Sequence, residues 1–144
     1  MDWSLDSLRR MANFTIHEPG PGFGYAHSPT IAHHGGVFYV AWQGGPENKE
    51  GGVGQGIVGA TSNDFRRFSE PEYIVPPREG VVYFTPQLWV CRDELRLWFL
   101  ENRNSPRSPS GGGAEAYIDR GVLMERRLVD GRWTQQRVVY SEEE

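Results

Sequence analysis

Two stretches of the chain are written to one plan, and that repeat limits the possible folds more than any other feature. His27-Ser28-Pro29-Thr30-Ile31 followed by Val37-Phe38-Tyr39-Val40-Ala41-Trp42 matches Phe84-Thr85-Pro86-Gln87-Leu88 followed by Glu94-Leu95-Arg96-Leu97-Trp98-Phe99, at a constant offset of 57 residues from Pro29 to Pro86. Further on, Gly56-Ile57-Val58 through Phe68-Ser69 to Tyr73-Ile74-Val75 aligns without gaps on Gly121-Val122-Leu123 through Trp133-Thr134 to Val138-Val139-Tyr140, at an offset of 65. The eight extra residues fall in the stretch from Asn104 to Ala116, whose Ser-Pro-Arg-Ser-Pro-Ser-Gly-Gly-Gly is polar and flexible and reads as an enlarged loop.

Within each unit, short runs of Val, Ile, Tyr, Phe and Trp alternate with Gly and Pro, which is the signature of successive strands and turns. With 18 Gly and 10 Pro in 144 residues, long helices have little room. The runs predict strands over 28–33, 37–42, 56–61 and 72–75 in the first unit, and over 85–91, 94–100, 120–127 and 137–140 in the second. Four antiparallel strands in a repeat of this length predict an all-β fold: two four-stranded antiparallel blades of a β-propeller. Trp3, Leu5, Leu8, Met11 and Ala12 lie near helical spacing and predict one short N-terminal helix. The expected organisation is a helix and lead-in over 1–22, a first blade over 23–79 and a second over 80–144. Two blades close no ring, since propellers use about 4 to 8. Three explanations remain open: the missing blades belong to the same longer chain, they come from other copies, or the fold is a different small one that looks repetitive.

Composition narrows the partners. A formal charge of -4 leaves no broad basic surface for a phosphate backbone, so nucleic acid is not an expected partner. No apolar run reaches the roughly 18 residues of a membrane span, and none near Met1 has signal-peptide length, so the chain as written reads as cytoplasmic with no membrane partner. Cys91 has no partner for a disulfide and reads as a small apolar residue. Gly54-Gln55-Gly56-Ile57-Val58-Gly59 fits a dinucleotide fingerprint, but a strand follows it where a phosphate-binding helix is required. His33 and His34 sit at a hairpin tip with diverging side chains, so no metal site and no cofactor are expected.

The segment Tyr25-Ala26-His27-Ser28-Pro29-Thr30-Ile31, then Tyr39-Val40-Ala41-Trp42-Gln43-Gly44-Gly45, then Ala60-Thr61-Ser62-Asn63-Asp64 with Phe68-Ser69-Glu70-Pro71, resembles the opening blade of sialidase-like (BNR, Asp-box) propellers. Ser62 and Asp64 stand as in an Asp box, Ser-x-Asp-x-Gly-x-x-Trp, although Arg66 occupies the glycine position and Phe68 arrives one residue early. The resemblance implies six blades when complete and a glycoside hydrolase. It also implies an arginine in the first strand that grips the substrate carboxylate, and here His27 stands in that position. A largely uncharged imidazole replaces a permanent bidentate cation, which forfeits a charged contact of roughly 1.5 to 3 kcal/mol. The expectation is therefore a carbohydrate-acting hydrolase that is not a true sialic-acid hydrolase. A noncatalytic segment that binds carbohydrate or protein is the alternative, and a five-bladed glycosidase of the arabinanase type is a third reading.

Candidate site residues follow from the blade plan, because the start of a blade's first strand and the end of its second share one face. Tyr25, His27, Gln43, Glu47 and Glu50 gather there from the first unit, and Tyr83, Glu101, Asn102 and Arg103 from the second. Glycoside hydrolysis asks for two carboxyl groups, or a carboxyl and a tyrosine. Glu101 follows an apolar strand and Glu50 sits in the loop that carries the acid/base aspartate of sialidases, so these two are the catalytic candidates. His27, Gln43, Arg103, Asn102 and Tyr25 are the substrate-binding candidates. The bland readings compete: a solvated loop for Glu47 and Glu50, an ion pair with Arg103 for Glu101, and core packing for Trp42 and Trp98.

Overall fold

The structure, a computed structural model, describes residues 15–52, 54–103 and 121–141. The expected N-terminal helix, the whole enlarged loop and the side chain of Arg103 lie outside the described residues. Nine strands follow in order: β1 (Tyr25–His34), β2 (Val37–Gly45), β3 (Gly56–Ser62), β4 (Glu72–Val75), β5 (Val81–Cys91), β6 (Glu94–Arg103), β7 (Gly121–Val129), β8 (Arg132–Trp133) and β9 (Arg137–Ser141). They form two antiparallel sheets, β1-β2-β3-β4 and β5-β6-β7 with β9 on the far side of β7. The eight expected strands are all present. The addition is β8, a two-residue hairpin strand on the end of β7, turned by Asp130-Gly131 with both residues at positive φ.

The repeat extends to backbone irregularities. The β1–β2 ladder breaks between His27 and Thr30, and the β5–β6 ladder breaks between Phe84 and Gln87, each 57 residues apart. Ser28 and Thr85, one per bulge, both take a left-handed conformation (φ 51° and 43°). The β1–β2 hairpin turns on Gly35-Gly36 and the β5–β6 hairpin on Arg92-Asp93, all four at positive φ. A two-residue turn of this type suits glycine or asparagine, so Arg92 and Asp93 are strained there. Replacing Arg92-Asp93 by Asn-Gly is expected to raise stability by about 1 kcal/mol in urea unfolding, and an unchanged midpoint would refute the strain.

The hydrogen-bond register corrects one part of the sequence alignment. Gln43 pairs Ile57 and Leu100 pairs Leu123, and the β3–β4 and β7–β9 ladders slip at Ile57/Val58 and at Leu123/Met124. The third strands are therefore offset by 66, so Gly56 corresponds to Val122 and not to Gly121. The extra residue is returned in the following turn. Ser69 closes that turn on Thr61 (N to O, 2.9 Å), and Thr134 closes its shorter counterpart on Arg127 (2.9 Å). In the first blade the longer turn is organised by Asp64, whose Oδ1 accepts from the backbone N–H of Arg66 (2.8 Å) and Arg67 (2.9 Å) and from Ser62 Oγ (3.1 Å). Those backbone bonds hold its carboxyl below the usual carboxylate range. The shorter Asp130-Gly131 hairpin needs no such carboxylate.

Strand alternation divides the side chains between faces. Ala41, Ile57, Ile74 and Val75 of the first sheet pack against Tyr83, Leu88, Leu95, Leu97, Phe99, Val122 and Met124 of the second. The opposite face of the first sheet, with Val40, Trp42, Val58 and Ala60, is buried against Ile16 and Phe23 of the lead-in. Polar bonds also join the sheets. Gln43 Oε1 accepts from Thr85 N (3.0 Å), and Thr30 Oγ1 accepts from Leu88 N (3.1 Å). Both acceptors satisfy N–H groups of edge strand β5 that would otherwise be open for pairing.

Candidate functional site

The ends of β1 and β2 and the loop after β2 bring four of the expected residues together. His27 lies directly opposite Gln43 in the ladder, and Tyr25 two residues away shares their face, with the Tyr25 and His27 rings 6.0 Å apart. Gln43 is fully buried; its Nε2 donates to Glu50 Oε1 (2.9 Å) while its Oε1 receives the Thr85 N–H. His27 Nδ1 lies 3.5 Å from the same Glu50 oxygen. Tyr25 is pushed up to about 12 by burial and by the Glu50 charge, so its hydroxyl keeps its proton at neutral pH. The cluster thus holds one carboxylate, one imidazole and one phenol donor around a fixed amide. Glu47, in the same loop, forms a half-exposed ion pair with Lys49 at 3.1 Å.

The loop that carries Glu50 is held by Gln55, which in sequence is one polar residue of a glycine-rich turn. Gln55 is 3% exposed; its Oε1 accepts from Gly51 N (2.7 Å) and its Nε2 donates to Tyr83 O (2.7 Å), tying the loop to the second blade. No local pattern marks it, because a buried glutamine bonding across 28 residues looks like any polar loop residue.

The second group is built on the matching end of β5 and β6. Glu101 and Tyr83 stand opposite one another and both are buried. Arg78 Nη2 donates to Glu101 Oε1 (2.8 Å) and Gln136 Nε2 to Glu101 Oε2 (2.8 Å). Arg78 of the β4–β5 connection thus forms an ion pair with Glu101, while the pairing with Arg103 expected from the sequence falls on a side chain outside the described residues. Burial and the Glu101 charge push the Tyr83 hydroxyl upward. Asn102 is buried opposite Val82 and Gly121, and the Arg103 backbone pairs Val81. Gln55 is the described link between the two groups, since its partner carbonyl belongs to Tyr83.

The tryptophans divide. Trp42 is buried in the first blade, stacked by His17 at 5.6 Å. Trp98 lies on the outer face of the second blade and donates from Nε1 to Glu125 Oε2 (2.8 Å). Arg96, Arg127 and Arg137 also bond Glu125, which is 1% exposed. Burial alone would raise its carboxyl, but the bonds from Arg127, Trp98 and Arg137 hold it at about 2. His33 packs on Phe38 at 4.5 Å and His34 approaches Asp93 at 3.8 Å. Among the described residues no group of three or more His, Cys, Asp or Glu is placed to hold a metal ion.

No family model and no curated protein sequence matches this chain. Among solved structures, a sialidase superposes with a TM-score of 0.61 at 19% identity, over 81% of this chain and 12% of that protein's chain. The present chain therefore spans about an eighth of that sialidase's length. The superposition joins the twin bulges, the repeated ladders and the buried face between sheets in one conclusion: the chain has the all-β fold of sialidase propeller blades, and the described residues build two of them.

Proposed function

We propose that these two blades are part of a glycan-acting propeller of the sialidase type, a glycoside hydrolase that does not act on sialic acids. One observation carries the reading: Tyr25, His27, Gln43 and Glu50 converge at the strand ends, with the Glu50 carboxylate held between a buried amide and an imidazole. Such a carboxylate is suited to general acid/base work, with His27 in reach of its oxygen and the Tyr25 hydroxyl available to a sugar oxygen. His27 in place of arginine supports selection against a substrate carboxylate, since no fixed cation stands at that position. The bonds that Asp64 accepts within its turn support the Asp-box likeness, with Arg66 departing from it. Carbohydrate is the expected ligand, and the remaining blades come from the same longer chain or from other copies.

The noncatalytic alternative has its own support. Both oxygens of Glu101 are engaged by Arg78 and Gln136, and the residue is fully buried, which suits a structural carboxylate better than a proton donor to substrate. Glu50 is accordingly the stronger catalytic candidate. With aryl glycosides as substrates, the full-length protein is expected to cleave neutral sugars and to leave an aryl sialoside intact. Glu50→Gln is expected to lower kcat by roughly 10²- to 10⁴-fold with KM little changed. Sialoside cleavage, or unchanged turnover in Glu50→Gln, would overturn the proposal; retention of glycans without turnover would establish the binding module.

A further inference from the structure

Each blade has one face turned to the other and one turned away, and the repeat relates the two kinds. In the first blade Gln43, Ile57 and Val75 stand side by side across β2, β3 and β4 and are fully buried at the junction with the second blade. Their counterparts by ladder position, Leu100, Leu123 and Tyr140, form the same row across β6, β7 and β9. Strand alternation turns this row away from the first blade, because Phe99 and Leu97 on the opposite face are the residues packed against it. Leu100 and Tyr140 are accordingly 38% and 61% exposed.

The other member of the junction is repeated as well. Leu88 of the second blade is 7% exposed because the first blade covers it, whereas its counterpart Ile31 is 48% exposed. With Phe38 and Phe65, Ile31 lines an apolar groove of about 350 Å³ on the outer face of the first blade. The molecule thus turns to solvent a copy of each half of its own buried junction, and exposed apolar rows of this kind mark sites of association.

The lead-in covers only the rest of the first blade's outer face. Ile16 and Phe23 lie over Val40, Trp42 and Val58, but Pro19 and Pro21 have no N–H to offer a ladder. Among the described residues the hydrogen bonds of 15–23 are internal: Gly20 and Phe23 exchange two (3.2 Å each) and His17 Nε2 donates to the Phe23 carbonyl (3.0 Å). The two blades, in contrast, are joined through the N–H groups of Thr85 and Leu88. The lead-in is held by apolar and ring contact, His17 stacking on Trp42 at 5.6 Å, so it can leave without breaking a ladder.

We propose that the chain associates head to tail with a second copy, the row of Leu100, Leu123 and Tyr140 in one copy seating on the face of Ile31 and Phe38 in the next and displacing its lead-in. This continues between copies the contact that the first blade makes with the second within the chain, so the interface is heterologous and adds sheets in one direction. No Arg, Lys, Asp or Glu lines the groove, and Glu125 beside the docking row is already buried and paired with three arginines, so little new desolvation of that carboxylate opposes the contact. The proposal takes other copies as the source of further sheets and does not depend on glycan chemistry.

Analytical ultracentrifugation of the full chain tests this. Wild type is expected to form species heavier than one chain that grow with concentration between about 1 and 500 μM. Ile31→Asp and Leu100→Asp, both at exposed positions, are each expected to remain monomeric, since each puts a charge into one member of the contact. Mixed in equal amounts they are expected to form a complex of two chains and nothing larger, because one intact face and one intact row remain. Phe23→Ala is expected to tighten association about tenfold by weakening the lead-in that competes for the face. Wild type that stays monomeric throughout, association that survives in either single variant, or a mixture that stays monomeric would overturn the proposal. Unchanged association in Phe23→Ala would overturn the displacement of the lead-in. The readout is mass, so a failure here is separate from a failure of the Glu50 chemistry.

Discussion

Glu125→Ala is expected to destabilise the protein by about 3 kcal/mol, the cost of removing a buried anion that accepts from three arginines and from Trp98, with Glu94 left as the remaining partner of Arg96 and Arg127. For a chain of this size that corresponds to a fall in Tm of roughly 10 °C or more. The basis is geometric. Glu125 is almost fully buried, Arg127 Nε lies at 2.8 Å, Arg137 Nη2 at 2.7 Å, Arg96 Nη1 at 3.2 Å, and Trp98 Nε1 completes the shell. Glu125→Gln keeps the volume and loses only the charge, so its effect is expected to be smaller, about 1.5 to 3 kcal/mol. The pH dependence has a defined sign. The carboxyl sits at about 2 in the fold against 4.5 for a free side chain, so its stabilisation is complete above pH 4.5 and is lost as pH falls towards 2. The shift corresponds to about 3 kcal/mol, in line with the substitution. Urea unfolding of wild type and Glu125→Gln between pH 2 and 7 checks this; parallel curves across that range would show that the cluster contributes nothing.

Gln43→Leu is expected to cost about 2 to 3 kcal/mol and to loosen the Glu50 loop, because one buried amide serves two partners. Its oxygen satisfies the Thr85 N–H of the second sheet and its nitrogen holds Glu50. Gln43→Glu separates these roles. The introduced carboxylate can still accept from Thr85 but repels Glu50, so the variant is expected to be close to wild type at low pH and progressively less stable through the carboxylate range. Unfolding midpoints as a function of pH measure the difference, and a pH-independent deficit would show that the Gln43–Glu50 contact is not significant. Gln43→Leu should also reduce turnover if Glu50 is the acid/base group, with a larger effect on kcat than on KM.

The clusters differ in how far they could be read in advance. The grouping of Tyr25, His27, Gln43 and Glu50 followed from the rule that the start of a blade's first strand meets the end of its second, which depends only on antiparallel connection. The Glu101 group was half legible: its place beside Tyr83 followed from the same rule, but Arg78 and Gln136 arrive from 23 and 35 residues away. The Glu125 cluster carried no signal. Read along the chain, Glu125-Arg126-Arg127 is an ordinary charged run, and only the sheet decides that Glu125 turns to the face where Arg96 and Trp98 wait while Arg126 turns to the carbonyl of Ile74.

The sequence alone determined eight of the nine strands, the hairpin positions and the twofold plan, because alternation, glycine turns and repeated proline bulges are local properties that survive without knowledge of any neighbour. Tertiary structure decided which residue stands opposite which. The third strands pair at an offset of 66, with the extra residue given back in the turn at Asp64, and no motif marks such a shift, since register is set by hydrogen bonds across the sheet. It also decided which polar groups share a partner, because burial and long-range pairing depend on the distance between chains in space and leave no trace in their spacing along one.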